Sequence, residues 1–172
     1  PQGGGGRTVM TTEPKFVPDD GVEVNLRDEL SFRVRLVDSV GYPVEGATGY
    51  QEDDGEPRMV MTPWFEYEIP FQEAAEIGTR KVITDHSTIG VMVTADGSFG
   101  ELPRENFVPA EEQVAAELKE LGKPFLIILN TSTPDSPQTL ELAQQLEEKY
   151  GVSVVPVDVP NTEEQDMCLI LE

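Results

Sequence analysis

Apolar and polar residues alternate along two short runs early in the chain. Residues 22–26 and 31–38 both follow a two-residue period, and the second run is rich in β-branched and aromatic side chains. A short polar connection, residues 27–30, separates them. The pattern predicts a β-hairpin whose second strand ends at Asp38. Residues 41–70 show no sustained period, and we expect a long loop there with room for one short hairpin.

Further along, the hydrophobic period becomes helical, and it does so three times. Each helical stretch precedes an apolar run, the pairs being 71–85 with 88–94, 110–121 with 124–129, and 136–150 with 152–159. Ser136 before Pro137 is a typical helix start, and Gly122 and Gly151 are typical helix ends. Three helix-to-strand units predict an α/β domain with a mostly parallel sheet covered on both faces.

Composition and charge narrow the class of protein. The 172 residues carry 33 acidic and 12 basic side chains, for a net charge of −21. This charge disfavours binding to nucleic acid or to an anionic membrane, since both would repel it. A single cysteine, Cys168, rules out an intrachain disulfide, and no apolar run reaches the roughly 18 residues of a transmembrane span. We therefore expect a cytoplasmic protein without a transmembrane segment.

Candidate chemistry begins where strands end, because ligands of open parallel sheets bind beyond the carboxyl ends of the strands. Asp38 and Gly41 form the pattern D-x-x-G after the predicted hairpin. In P-loop nucleotidases such a pair places a carboxylate near Mg²⁺ and a backbone N–H near the γ-phosphate. A solvated aspartate before a turn glycine is the alternative, and the motif alone leaves both open.

Two further segments stand in the same chain order as the switch and base-recognition elements of a GTPase. Thr11 and Thr12 lie in a non-periodic segment, where a threonine could sense Mg²⁺ and the γ-phosphate or could be an ordinary loop residue. Residues 130–133 read N-T-S-T where GTPases keep N-K-x-D. Thr133 replaces the aspartate that accepts two hydrogen bonds from guanine, so guanine specificity is not expected.

The phosphate-binding loop of such enzymes, G-x-x-x-x-G-K followed by Ser or Thr, does not occur in these residues. We expect the first strand, that loop and its helix to lie upstream of Pro1, and the chain alone to bind nucleotide poorly. His86, the single histidine, ends the first predicted helix. A capping role and a catalytic role are both open for it.

Longer strings carry a resemblance to a known family. The chain resembles stage IV sporulation proteins A in the strings RTVMTTEPKFVP (7–18), VDSVGY (37–42), VEGATG (44–49), TPWF (62–65), AEIGTRKV (75–82), TDHSTIG (84–90) and PRENF (103–107). The resemblance implies a P-loop GTPase-like, TRAFAC-type three-layer sandwich, here without its first strand and P-loop. It also implies a partial ATPase domain over residues 1–159, with residues 160–172 opening a following segment.

The resemblance further implies an ATPase that uses ATP and Mg²⁺ and polymerises on the forespore surface as the base layer of the spore coat. Its partners would be copies of itself and other spore-coat or forespore membrane-anchored proteins, in the mother-cell cytoplasm. By position, Asp38 and Thr11 would serve Mg²⁺, and Thr11 and Thr12 would promote hydrolysis. Asp38, Gly41, Asn130 and Thr131 would contact the nucleotide.

Two alternatives to the ATPase hypothesis come from the residues themselves. The chain could be a catalytically inactive assembly module that docks a neighbouring subunit through the loop holding Trp64 and Phe65. It could also be a divergent GTPase, which the N-T-S-T string disfavours.

Overall fold

A computed structural model describes residues 15–26, 30–47, 55–100, 102–163, 166–167 and 170. The chain divides into two units, which are described separately. Unit 1 takes in the described residues of Pro1–Pro43 and Thr48–Ser87, and unit 2 takes in those of Val44–Ala47 and Thr88–Glu172.

The predicted hairpin opens unit 1. Strands β1 (Phe16–Leu26) and β2 (Leu30–Val37) pair antiparallel, with Val24 opposite Phe32. The strand β1 begins six residues before the predicted start, and its pairing register shifts between Val17 and Val22. The alternation of side chains is interrupted at that irregularity, so a period of two detects only the second half of the strand.

The long loop contains the short hairpin that the sequence allowed for. Strands β3 (Met59–Val60) and β4 (Ile69–Pro70) pair antiparallel, and helix α1 (Phe71–Lys81) follows at once. Val60, Ile69 and Ala74 form the buried centre of this region, and Phe65, Phe71 and Ile77 pack against it. A π-helical turn, Val82–His86, extends α1 to the predicted helix end.

Unit 2 alternates helices and strands as predicted. Strands β5 (Gly90–Ala95), β6 (Phe125–Asn130) and β7 (Val154–Val157) form one sheet in that order, and both neighbouring pairs are parallel. Helix α2 (Val108–Glu120) connects β5 to β6, and α3 (Pro137–Tyr150) connects β6 to β7. The fold of this unit is α/β, with a parallel three-stranded sheet flanked by helices.

The ends of α3 follow from local sequence. The Ser136 hydroxyl accepts the Thr139 N–H at 3.2 Å, Pro137 takes the first helical position, and Gly151 ends the helix in the left-handed region at φ 71°. Each residue satisfies a backbone requirement that its side chain suits. The predicted start and stop of this helix are confirmed.

Strand β5 differs from the two-sided burial that its apolar sequence predicted. Met92 and Thr94 are buried, whereas the intervening face exposes 45% of Val91 and 60% of Val93. Helix α2 lies against the buried face, because its Glu111 carboxylate accepts the Thr94 hydroxyl at 2.8 Å. Hydrophobicity alone does not distinguish a strand covered on one face from a strand covered on both.

Glu111 is the centre of a buried polar cluster behind the sheet. It is 3% exposed, and its Oε2 accepts hydrogen bonds from the Thr94 hydroxyl and, at 2.6 Å, from the Arg104 guanidinium. Its Oε1 accepts the Tyr150 hydroxyl at 2.7 Å. A buried carboxylate requires such partners. The cluster thereby joins α2, β5 and α3 into one support beneath the strand ends.

Candidate functional site

Three loops of unit 2 leave the sheet at the same edge, because β5, β6 and β7 run parallel. The Asp96 N–H donates to the Asn130 carbonyl at 3.2 Å, and the Thr131 N–H donates to the Val157 carbonyl at 3.0 Å. The first residues of these loops are therefore neighbours. This carboxyl edge is where open α/β sheets bind their ligands.

The Asp96 carboxylate accepts three hydrogen bonds at this edge. Its Oδ1 accepts the Ser98 N–H at 2.8 Å and the Ser98 hydroxyl at 2.5 Å, and its Oδ2 accepts the Thr131 hydroxyl at 2.6 Å. Burial by itself would raise the pKa of Asp96, but these hydrogen bonds outweigh it and lower the pKa below its ordinary value. Asp96 is therefore held as a carboxylate.

Thr131 lies behind the edge and not on its surface. Its side chain is completely buried, and its hydroxyl accepts the Thr133 N–H at 3.2 Å while donating to Asp96. The Thr139 hydroxyl lies 3.4 Å from it. The side chain predicted to border a nucleotide thus makes its contacts inside the protein, and it fixes the path of the backbone from Asn130 to Thr133.

Asn130 joins the loop after β6 to the loop after β7. Its side-chain Oδ1 accepts the Val159 N–H at 3.1 Å, and its backbone carbonyl accepts the Asp96 N–H. The residue is half-buried at the end of its strand. The amide side chain joins the loop after β6 to the loop after β7, which explains why an asparagine suits this position, and the backbone carbonyl makes the link to β5.

The other predicted pair, Asp38 and Gly41, belongs to unit 1. Asp38 is exposed immediately after β2, and Gly41 has φ 77°, in the left-handed region. The Gly41 N–H donates to the hydroxyl of Thr79 on α1 at 3.0 Å, and that hydroxyl lies 3.4 Å from the Gly41 carbonyl. The N–H group that the motif assigned to a phosphate is therefore bonded to Thr79 in this structure.

The remaining candidates divide between described and undescribed residues. Thr11 and Thr12 lie outside the described residues. His86 ends the π-helical turn, and its ring lies edge-on to Phe16 with centroids 6.4 Å apart. This places the histidine at a helix end, as its sequence position predicted.

Sequence reasoning missed Asp96 and Ser98, although a signal for them existed. Asp96 and Gly97 directly follow an apolar strand, which is the same strand-end context that singled out Asp38. Gly97 has φ 87°, and a Cβ there would lie 2.9 Å from the Arg104 backbone nitrogen. The glycine lets the chain turn back so that Ser98 meets Asp96.

The side-chain groups of the candidate residues that could act as ligands to a divalent ion are carboxylates and hydroxyls. Within the described part of the chain, no group of three or more His, Cys, Asp or Glu side chains is arranged to hold a metal ion. Mg²⁺ does not require one, since it is commonly bound by one or two carboxylates together with phosphate oxygens and water. The exposed Asp38 carboxylate fits that manner of binding.

A parallel sheet with helices between its strands and a polar carboxyl edge defines the class: the fold is α/β and consistent with a P-loop NTPase-like domain. The family model described as "Stage IV sporulation protein A, ATPase domain" matches residues 1–172. The chain therefore belongs to the stage IV sporulation protein A family.

Curated relatives agree with this assignment. The chain is 53% identical over 171 residues to stage IV sporulation protein A of Bacillus anthracis, and 51% identical over 171 residues to that of Bacillus subtilis (strain 168). It is 52% identical over 172 residues to that of Clostridioides difficile (strain 630). The matches cover 99–100% of this chain but only 35% of each relative. No solved structure matches the chain.

The length and hydrophobicity of a helix decide whether it can cross a membrane. None of the helices in the described ranges is long and apolar enough to cross a bilayer.

Proposed function

We propose that this chain forms part of an ATPase that binds ATP with Mg²⁺ and hydrolyses it to drive polymerisation on the forespore surface, as the base layer of the spore coat. The observation that carries the proposal is the ordered carboxyl edge of unit 2. There Asn130, Thr131 and Asp96 hold three strand-end loops together in a family defined by an ATPase domain.

The loop of residues 130–133 would border the base. Its fourth residue, Thr133, is neutral and exposed, so it cannot accept the paired hydrogen bonds that guanine donates to a carboxylate. Thr131, although buried, would act through the backbone it fixes. ATP is therefore the expected nucleotide, and a divergent GTPase is the weaker candidate.

Hydrolysis would proceed by in-line attack of water on the γ-phosphate. Asp38 would serve Mg²⁺, together with Thr11, and Thr11 and Thr12 would promote the reaction as switch residues. The Gly41 N–H would donate to an oxygen of the γ-phosphate if it gave up its hydrogen bond to the Thr79 hydroxyl. Charge stabilisation of this kind supplies most of the rate enhancement in phosphoryl transfer.

Partners and location follow the same proposal. Copies of the protein would polymerise in the mother-cell cytoplasm at the outer forespore surface, alongside other coat or membrane-anchored proteins. The charge of −21 disfavours direct binding to an anionic membrane. Residues 160–172 are proposed to open the following segment.

A second candidate function, an inactive assembly module, has one observation in its favour. Tyr67 is 62% exposed and Met59 is 40% exposed, and the Tyr67 ring lies 5.3 Å from that of Phe65. Exposed aromatic residues of this kind are common in protein interfaces. The two functions are compatible in one protein, since a polymer needs contacts between its subunits.

Nucleotide hydrolysis tests the proposal. The chain spans about a third of the length of its relatives (35%), so the assay uses a protein of the relatives' full length. We expect hydrolysis of ATP in preference to GTP, and loss of activity in Asp38→Ala and in a Thr11→Ala, Thr12→Ala double variant. Glu23→Ala, which removes an exposed carboxylate from β1, is the matched control and should retain activity.

The assay also separates the two candidate functions. A folded full-length protein that neither binds nor hydrolyses ATP, yet still assembles, would replace the ATPase proposal with the assembly module.

A further inference from the structure

We propose that Asp96 is a positioning residue that makes the loop after β6 select adenine over 6-oxopurines, by occupying that loop's backbone N–H donors through two hydroxyl relays. The inference rests on the proposed function, since it concerns how the same edge would read the base of ATP. It adds a residue and a mechanism that the N-T-S-T string alone does not contain.

The first relay passes through Thr131. The Thr133 N–H donates to the Thr131 hydroxyl at 3.2 Å, and that hydroxyl donates to Asp96 Oδ2 at 2.6 Å. A hydroxyl can donate only one hydrogen bond, and the Thr131 hydroxyl donates it to the Asp96 carboxylate. The Thr131 oxygen is thereby oriented to accept the Thr133 N–H.

The second relay passes through Ser98. The Ser132 N–H donates to the Ser98 hydroxyl at 2.9 Å, and that hydroxyl donates to Asp96 Oδ1 at 2.5 Å. The Ser98 N–H donates to the same carboxylate oxygen at 2.8 Å. Through these two hydroxyls, the Asp96 carboxylate keeps two consecutive backbone N–H groups, those of Ser132 and Thr133, in hydrogen bonds within the protein.

This arrangement decides which fixed groups the loop can offer to a ligand. With both N–H groups occupied, the fixed backbone groups that remain at Ser132 and Thr133 are carbonyl oxygens, which only accept hydrogen bonds. The Thr133 carbonyl already accepts the Ser136 N–H at 3.1 Å and keeps one further lone pair, so the Ser132 carbonyl is the main acceptor of the pair. The exposed hydroxyls of the same residues can rotate to donate or to accept, so they do not discriminate. At Ser132 and Thr133, the fixed part of the loop is therefore an acceptor surface.

The purine bases differ at the group that such a surface would read. Adenine carries an amino donor at position 6, whereas guanine carries an oxygen acceptor there. An acceptor surface pairs with the amino group and leaves a 6-oxo group without a donor, and an unmet buried acceptor is costly. Adenine is therefore favoured even though no side chain of the relays touches it.

The test compares ATP with ITP, whose base has an oxygen at position 6 but lacks the 2-amino group of guanine. Dissociation constants for both nucleotides are measured with the full-length protein, its Ser98→Ala and Asp96→Asn variants, and Glu112→Gln. Ser98 is exposed, so its loss should leave folding intact. Glu112 is a matched carboxylate-to-amide control, since it forms an exposed ion pair with Lys149 on the surface of unit 2.

We expect Ser98→Ala to free the Ser132 N–H and to lower the preference for ATP over ITP by about threefold to tenfold, the equivalent of one neutral hydrogen bond. Asp96→Asn should lower the preference further, and Glu112→Gln should leave it unchanged. Equal weakening of both nucleotides, or no change in their ratio, would overturn the positioning role while leaving the ATPase proposal intact. Failure of the unmutated protein to bind ATP would overturn both.

Discussion

The Tyr150 hydroxyl donates a 2.7 Å hydrogen bond to a carboxylate oxygen of Glu111, and both side chains are buried. One residue ends α3 and the other lies in the first turn of α2. A tyrosine thus joins the two helices that flank the sheet. The same carboxylate reaches β5 through Thr94, two residues before Asp96, so this contact supports the strand end that carries the candidate site.

Removing that hydroxyl should destabilise the protein. We expect Tyr150→Phe to lower the free energy of unfolding by about 1–3 kcal/mol, because Glu111 would lose a partner while remaining buried. Denaturant-induced unfolding measures the change. Glu112→Gln supplies the comparison, since it removes an exposed ion pair with Lys149 that should contribute less than about 1 kcal/mol. Equal effects of the two substitutions would contradict the role of the buried contact.

Tyr150 should lose its proton at a higher pH than an ordinary tyrosine does. Burial, followed by the hydrogen bond to the Glu111 carboxylate, raises the pKa of Tyr150 to about 12. The folded state therefore keeps the Tyr150 proton up to a higher pH than the unfolded state does. The resulting contribution of Tyr150 to the free energy of unfolding is present below about pH 10 and is lost as the pH rises towards 12. Ultraviolet titration of the tyrosines should show a late step that Tyr150→Phe removes. A late step that persists in the variant belongs to another residue.

Acid should loosen the strand-end loops through Asp96. The pKa of Asp96 is lower in the folded protein than in the unfolded chain. Its ionised carboxylate therefore adds to the free energy of unfolding above the ordinary aspartate pKa of about 3.9. This contribution is lost as the pH falls below that value and through the lowered pKa of the folded protein. We expect Asp96→Asn to flatten the acid limb of the stability profile in this range. Unfolding curves of the unmutated protein and of Asp96→Asn at a series of acidic pH values provide the measurement.

Gly41 should tolerate substitution according to backbone conformation alone. Its φ is 77°, and a Cβ would meet nothing within 4 Å, so the only cost is the left-handed backbone. We expect Gly41→Ala to lower the free energy of unfolding by about 1 kcal/mol. Gly41→Asn should cost less, because asparagine enters this region more readily. If the two variants are equally destabilised in thermal unfolding, a cause other than φ is acting.

The elements of the fold could be predicted where local and tertiary preferences agree. Ser136, Pro137 and Gly151 fixed the ends of α3 by cap chemistry, and the three helix-to-strand units predicted the parallel sheet. The first half of β1 could not be found by a period of two, since its register shifts between Val17 and Val22. The one-sided burial of β5 depends on which face α2 covers, and no single segment encodes that.

The sequence predicted the positions of two residues at the candidate site, but not its central carboxylate or the connections between its residues. Asn130 and Thr131 were expected at a ligand-binding edge, and the structure places them at the carboxyl end of β6. The hydrogen bonds that Thr131 and Ser132 make at this edge depend on Asp96 and Ser98, which lie more than thirty residues earlier in the chain. Contacts over such separations arise from the pairing of β5 with β6, which a motif does not contain. Whether Asp38, Thr11 and Thr12 act on Mg²⁺ and phosphate remains a prediction for the hydrolysis assay.

The relays at the strand ends are built from serine, threonine and aspartate, and from no long side chain. Short side chains have few rotamers to lose, so ordering them before a ligand arrives costs little entropy. A loop ordered in this way does not have to be ordered again at the moment of binding. A ligand at this edge would then meet the same loop geometry at every binding event.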